Sequence, residues 1–328
     1  RGTGQRLAER GTRLNTPMPD EAYDVIIIGA GVVGSLIARA LSRYRLRILL
    51  LDKASDVGEG ATKANTGIVH GGYNAEPGSL KAQMNLQGNP MFDDLCDQLD
   101  VPFERCGTYV VGITPQDRQT LRDLYSQGIE NGIPDLHLID GPEMRRREPA
   151  LNENTVGALY SGTGGIADPF ELCIAAAENA VMNGVEIALE TEALDFVWEE
   201  DGIRGVVTNQ GTYRSRWTII SAGLWADELM HKAGLDSFEI KPRKGEYFVL
   251  DRVASQQVHN VLFPCPTPVS KGILVARTVH DNVILGPNAD VIEDKEDLRT
   301  TPCGLAEVME GARKLVPGLD KGQVIRTF

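Results

Sequence analysis

An α/β fold, α+β over the chain as a whole, follows from three observations in the 328-residue sequence. The first is Tyr23-Asp-Val-Ile-Ile-Ile-Gly-Ala-Gly-Val-Val-Gly34, an apolar run broken by glycines spaced G-x-G-x-x-G that then enters a helical pattern ending near Tyr44. The second is another apolar run, Leu46-Arg-Ile-Leu-Leu-Leu51, closed by Asp52. The third is a set of short apolar or alternating segments beyond Glu239, separated by Gly, Pro, Asp and Asn as in an antiparallel meander. Together they predict a Rossmann-like nucleotide domain accompanied by antiparallel sheet.

Val25 to Ile28 are β-branched residues suited to a buried parallel strand. In such a turn Gly29 permits the tight bend, Gly31 the close approach of a pyrophosphate, and Gly34 close helix-on-strand packing. A phosphate then sits at a helix N-terminus, where free backbone N–H groups and the helix dipole both favour an anion. Gly29, Ala30, Gly31, Val33 and Gly34 are therefore candidate cofactor contacts. Leu36, Ala40 and Leu41 fall at helical spacing within Ser35 to Tyr44. Asp52 stands at a strand end about 20 residues beyond the glycines, where a carboxylate binds a ribose hydroxyl, with Lys53 beside it. Glycine-rich turns without ligands are common; here the strand, helix, strand and carboxylate in order decide for a dinucleotide.

The length suits two domains. With 42% apolar and 24% charged residues the composition is that of a globular chain, and no apolar run approaches the roughly 20 residues needed to span a bilayer. The net charge of −13 opposes nucleic-acid binding, and it means that an anionic substrate needs local basic residues. Cys96, Cys106, Cys173, Cys265 and Cys303 are scattered without a C-x-x-C pair, so reduced thiols, a cytoplasmic location and no metal site are expected. Contact with a membrane surface stays open. Residues 1–17 are polar and basic without apolar periodicity, read as a tail rather than a targeting segment, with the fold starting at Met18.

Two features turn the dinucleotide towards FAD rather than NAD. Gly58 to Gly72 is a glycine-rich segment where a simple nicotinamide domain would continue into a crossover helix. Thr62, Asn65 and Thr66 supply hydroxyl and amide groups there, while Gly67, Gly71 and Gly72 let the backbone approach a flat ring or phosphate. The alternative is an ordinary polar loop. The second feature is a strand over Thr218 to Ile220 followed by Ser221-Ala222-Gly223, a return to the nucleotide. Upstream, Phe170 to Met182 reads as a helix, and Val185 to Leu189, Leu194 to Trp198 and Gly205 to Thr208 as strands, with Ala193 counted among the cofactor contacts.

Ile26-Ile-Ile-Gly-Ala-Gly-Val-Val-Gly34, Asn65-Thr-Gly-Ile-Val-His-Gly-Gly72, Pro77-Gly-Ser-Leu-Lys-Ala82 and Lys244-Gly-Glu-Tyr-Phe248 together resemble the D-amino-acid-oxidase-like FAD superfamily. Within it the chain is similar to the branch of FAD-dependent glycerol-3-phosphate dehydrogenases and L-2-hydroxyglutarate oxidases, through Val261-Leu-Phe-Pro264 and Leu285-Gly-Pro-Asn-Ala289. The resemblance implies a discontinuous FAD-binding domain (18–90, 150–233 and 300–328) with an inserted antiparallel substrate domain (91–149 and 234–299). It also implies a C-terminal return to the flavin ring, which does not occur before Phe328; Gly322 to Phe328 reads as a strand without a following partner, as in a shortened form of that plan.

Oxidising a secondary alcohol requires a hydride acceptor, a base for the hydroxyl proton, and clamps for the anionic end of the substrate. His70 is the candidate base, against a role in hydrogen bonding the cofactor, packing, or tethering the flavin. Lys81, Arg243, Lys244, Lys271 and Arg277 are candidate anion contacts, Lys244 and Arg277 because they lie in apolar, strand-like surroundings. Tyr247 could hydrogen-bond the substrate or close the core. Arg145-Arg-Arg147 reads as a surface helix end. The expected activity is oxidation of sn-glycerol 3-phosphate to dihydroxyacetone phosphate, ahead of L-2-hydroxyglutarate oxidation, with a noncatalytic flavin-binding subunit as rival. Oxygen, a quinone or a partner protein could accept the electrons.

Overall fold

The computed structural model describes residues 22–235, 238–267 and 272–328. The expected tail, the start at Met18 and the candidate Lys271 lie outside them. The chain divides into two compact units.

The first unit lies within 22–65, 99–101 and 169–241. Its six-stranded sheet runs Ala193–Glu199, Gly202–Thr208, Gly211–Ile220, Tyr23–Ile28, Ile48–Leu51, Glu186–Ala188. Tyr23–Ile28 is parallel to both neighbours, with Ile28 opposite Ile220 and Leu51. Residues alternate between faces along a strand, so each central strand feeds two apolar layers. Val25, Ile27, Ile48 and Leu50 pack against Ala38 of helix Val32–Leu41 and Cys173, Ala177 and Ala180 of helix Pro169–Met182. Ile26, Ile28, Leu49 and Leu51 face Phe196, Val206, Tyr213 and Leu229. Each such aliphatic side chain stabilises the fold by about 1.5–3 kcal/mol.

The first helix begins at Val32, three residues before the sequence expectation, because extended Gly31 (φ −69°, ψ 177°) acts as its N-cap. The second strand begins at Ile48 rather than Leu46, since the Arg47 amide donates to the Asp24 carboxylate at 3.0 Å.

The second unit lies within 66–98, 102–168 and 242–328. Its eight-stranded sheet runs Val324–Thr327, Phe248–Leu250, Val283–Gly286, Leu274–Arg277, Val261–Pro264, Thr108–Gly112, Gly157–Ser161, Leu136–Asp140. Neighbours are antiparallel except for Val261–Pro264 beside Thr108–Gly112. Helix Pro302–Leu315 covers one face, where Val308, Met309, Ala312 and Leu315 meet Leu262, Val275, Val283 and Leu285. The alternate residues Val261, Leu274, Ala276 and Ile284 point to the other face with Tyr247. A small sheet joins Ile68–Val69 and Phe103–Glu104 to Gly165–Ala167.

The boundaries differ from those expected: 66–90, 150–168 and 300–328 group with the antiparallel unit rather than with the nucleotide domain. The strand at Gly322 to Phe328 takes its partner from earlier in the chain, as Val324–Thr327 pairs with Phe248–Leu250. The stretch from Glu239 to Leu250 is two strands, Arg243–Lys244 and Phe248–Leu250, separated where Glu246 turns its side chain onto Thr301.

Candidate functional site

Strands Tyr23–Ile28, Ile48–Leu51 and Gly211–Ile220 end together, which brings Gly29, Asp52 and Ser221 to one edge of the first unit's sheet. The three glycines divide in role. A Cβ at Gly29, whose φ is +105°, would lie 2.5 Å from the Ser221 carbonyl oxygen, and one at Gly34 would lie 1.9 Å from the Gly29 carbonyl oxygen. Neither position admits a side chain. Around a Cβ at Gly31, and leaving aside its chain neighbours, the one atom of the described residues within 4 Å is Thr62 Oγ1, at 3.2 Å. The first and third glycines therefore close the turn and the second faces outward, as close approach of a pyrophosphate requires.

The first helical amides stand outside the helix's own ladder. Val32 donates to Thr62 Oγ1 at 3.0 Å, and the amides of Gly31, Val33 and Gly34 would be the ones offered to an anion at this helix N-terminus. The Val33 side chain is 60% exposed, an apolar surface at the turn that a ligand would cover. The Ala30 peptide is clamped at both ends: its amide donates to Asp52 Oδ2 at 2.7 Å, and its carbonyl accepts from Gly58 at 3.0 Å and Ser35 Oγ at 3.3 Å. Asp52 Oδ1 accepts the Ala54 amide at 2.9 Å. An ionised carboxylate has about four acceptor positions, so about two remain for ribose hydroxyls.

Other expected contacts support this turn. Ser221 Oγ donates to the carbonyls of Ile28 and Gly29 at 3.0 and 3.1 Å, so it holds the turn from behind. Ala222 packs into the apolar layer, and Gly223, at φ +56°, has open space around it. Asn65 Nδ2 donates to the Thr62 carbonyl at 2.7 Å and fixes the short helical turn carrying Thr62. Lys53 Nζ lies 3.6 Å from the centre of the Trp225 ring. The Thr191 amide donates to the Asp52 carbonyl, which keeps Ala193 two residues from that strand end. The donor set, the outward Gly31 and the available acceptors on Asp52 fit the pyrophosphate and ribose of FAD.

In the second unit, Thr66 is half-buried and Gly67, at φ +63°, accepts the Ala167 amide at 2.8 Å. His70 follows the short strand. Its Nδ1 accepts the Gly72 amide at 2.9 Å, and its carbonyl accepts from Asn85 Nδ2 at 3.2 Å and Asn89 Nδ2 at 3.0 Å. The ring packs 4.9 Å from Tyr73 and 6.0 Å from Phe263, centre to centre. Phe263 and Ile68 also border the cluster holding Tyr247, so His70 and Tyr247 belong to one neighbourhood. Tyr247 stacks on Phe328 at 4.7 Å, and burial pushes its hydroxyl up to about 12.

The candidate cations differ in how far their charge is already met. Arg277 pairs with Glu104 and with Asp281, the latter at 2.9 Å. Lys244 Nζ donates to the Arg299 carbonyl at 2.9 Å and pairs with Asp297 at 3.4 Å; Arg299 above all, with Lys244, holds that carboxyl well below the usual range. Arg243 is exposed. Lys81 is exposed on helix Leu80–Gly88 and forms no ion pair with a described residue. Arg145 to Arg147 end helix Gly141–Arg147, where Glu143 pairs with Arg146 and Arg147.

Asn85, Asn89, Tyr73, Phe263 and Arg105 were not singled out from the sequence. The four-residue spacing of the two asparagines, one helical turn, was the available signal. Among the described residues no group of three or more His, Cys, Asp or Glu could hold a metal ion, and no helix is long and apolar enough to cross a membrane.

Residues 24–328 match the family model described as DAO, FAD dependent oxidoreductase. The chain belongs to this family. Its DAO-family relatives include the glycerol 3-phosphate dehydrogenase of Caloramator mitchellensis, 44% identical over 306 residues that cover 93% of this chain and 64% of the relative. The chain thus spans less than two thirds of that relative's length. The L-2-hydroxyglutarate dehydrogenase of Escherichia coli K12 is 31% identical over 293 residues, covering 88% of this chain and 69% of the relative. Among solved structures, the reduced L-alpha-glycerophosphate oxidase of Mycoplasma pneumoniae with FAD bound superposes with a TM-score of 0.86 at 29% identity, covering 94% of this chain and 82% of that one.

Proposed function

We propose that this DAO-family chain oxidises a small anionic secondary alcohol, sn-glycerol 3-phosphate to dihydroxyacetone phosphate. The observation that carries the reading is the 44% identity, over 93% of the chain, to a protein named for glycerol 3-phosphate. When bound, FAD supplies the acceptor for the hydride that leaves the carbinol carbon. The chain's part is to bind and orient. Asp52 offers acceptors to the ribose and the first turn of helix Val32–Leu41 offers amides to the pyrophosphate. A substrate phosphate at Arg277 would compete with Glu104 and Asp281, and at Lys244 with Asp297, whereas Lys81 carries a charge that no described carboxylate meets. Lys81 is the first cation to test as an anion contact.

The test is the visible spectrum of the purified chain with FAD, recorded without oxygen before and after each compound. Bleaching by sn-glycerol 3-phosphate alone supports the reading. Bleaching by L-2-hydroxyglutarate alone transfers it to that substrate, and bound flavin that neither compound bleaches overturns it in favour of a noncatalytic flavin protein.

A further inference from the structure

We propose that Ser35 and Cys173 are positioning residues for the pyrophosphate of FAD: from two different helices they hold the Ala30 carbonyl inward, so that the Gly31 N–H of the same peptide is aimed at the phosphate. Both belong to the first unit, and their role concerns FAD binding alone, whichever alcohol is oxidised.

A trans peptide sets its C=O and its N–H in opposite directions. The Ala30 carbonyl is turned into the interior, where it accepts from the Gly58 amide at 3.0 Å, Ser35 Oγ at 3.3 Å and Cys173 Sγ at 3.5 Å. The Gly31 amide, at the other end of that peptide, therefore points away from this interior. Hydrogen bonds accepted by a carbonyl also polarise the peptide, which makes its N–H a stronger donor.

Ser35, in the first turns of helix Val32–Leu41, and Cys173, on helix Pro169–Met182, are fully buried, and their Oγ and Sγ lie 3.6 Å apart. The Gly58 N–H takes one lone pair of the Ala30 oxygen and leaves the second to this pair. Either the hydroxyl donates to the carbonyl and accepts from the thiol, or the thiol donates to the carbonyl and accepts from the hydroxyl. In both arrangements the carbonyl stays bonded and each proton has an acceptor. Burial above all pushes the Cys173 thiol up, so it keeps the proton that it donates. Cys173 also helps to seat its helix, beside Ala177 and Ala180, against Ala38. Packing accounts for its burial, but not for a hydroxyl and a thiol directed at one carbonyl.

The test titrates FAD into the full chain freed of flavin, followed by fluorescence, beside urea denaturation of the same variants. Either residue can serve the carbonyl without the other, so Ser35→Ala and Cys173→Ala should each weaken FAD by only about twofold, and the two together by about tenfold, more than the product. Cys173→Ser placed on Ser35→Ala returns one hydroxyl to the pair and should bring FAD affinity back to within about twofold of wild type, even where a hydroxyl among apolar side chains lowers the urea midpoint. Val185→Ala, in the same apolar layer, should lower the midpoint and leave FAD affinity unchanged. ADP, which keeps the pyrophosphate and lacks the flavin, should lose the same factor as FAD when it competes. If the double variant does not accumulate, Ser35→Ala with Cys173→Val replaces it, since valine fills the space without a donor. A double variant that binds FAD as wild type does, one that Cys173→Ser does not rescue, or undiminished competition by ADP overturns the proposal. No turnover is needed, so failure of the substrate reading leaves these results standing.

Discussion

The Asp52 carboxylate and the Ala30 amide, 22 positions apart in the chain, meet at 2.7 Å across the ends of two parallel strands. One side chain thereby both shapes the glycine turn and keeps acceptors for a ribose. Asp52→Ala is expected to weaken FAD binding by about 10–100-fold, the value of one or two bonds to a charged group. Asp52→Asn, which retains one acceptor oxygen, falls between; a flavin titration followed by fluorescence gives both constants, and unchanged affinity in the alanine variant refutes the assignment.

The glycines separate folding from binding. Gly31→Leu presses on Thr62 Oγ1, 3.2 Å from the added Cβ, and should cost less stability than a side chain at Gly34 while no longer retaining FAD. Gly34→Ala puts a methyl group into the Gly29 carbonyl and should cost about 1–3 kcal/mol or more of stability. Equal loss of stability in the two would show that the second glycine packs like the third.

Glu246 is buried and accepts both the Thr301 amide at 2.7 Å and its hydroxyl at 2.9 Å, at the start of helix Pro302–Leu315. Thr301 also caps that helix through Gly304 at 3.0 Å. Thr301→Ala should cost about 1 kcal/mol. Glu246→Ala should cost more, about 2–3 kcal/mol, because it leaves the part-buried Thr301 amide and hydroxyl without their acceptor. Chemical denaturation orders the two, and the reverse order would contradict the arrangement.

Thiol reactivity should follow burial. Burial pushes Cys96 and Cys106 up to about 11 and Cys265 up to about 12, whereas Cys303 is exposed. Brief alkylation with iodoacetamide at pH about 8, read by mass spectrometry, should modify Cys303 first, since the thiolate is the reacting species. Equally fast labelling of Cys265 would disprove its buried setting.

Acid stability has a traceable contributor in Asp93. The hydrogen bonds from Arg105 hold its carboxyl below the usual range in the folded chain. A group depressed in this way stabilises the fold above its unfolded value, and that contribution fades as pH falls through the folded one. The urea midpoint of wild type should exceed that of Asp93→Asn at pH about 6, and the gap should narrow towards pH about 3. The effect is small, because more than half of the Asp93 side chain is exposed. A gap that stays constant with pH would separate the difference from this ionisation.

What was legible in the sequence was local. The β-branched run before Gly29, the glycine spacing and the strand ending in Asp52 each state their conformation within a few residues, and the structure realises all three. Phe170 to Met182 was likewise readable as a helix and forms one over Pro169–Met182. Illegible were contacts between distant segments. Arg277 in an apolar strand suggested an anion clamp, yet its partner Glu104 lies 173 positions away, and no periodicity reports such a meeting. The parallel pairing of Val261–Pro264 with Thr108–Gly112 leaves no local trace either. Asn85 and Asn89 were visible as a pair one turn apart, but polar residues on a helix ordinarily face water, and only the doubled-back His70 peptide gives them a target.

The return of Ser221 to the glycine turn has a consequence for synthesis of the chain. Ser221 Oγ reaches the Gly29 carbonyl across 192 positions, and Tyr23–Ile28 finds its neighbour in Gly211–Ile220. At about 5–20 residues per second, a strand that leaves the ribosome first waits on the order of ten seconds or more for that neighbour. Throughout that interval an Ile-rich edge is unpaired, and protection of the nascent segment until Ser221 emerges becomes a requirement of the topology itself.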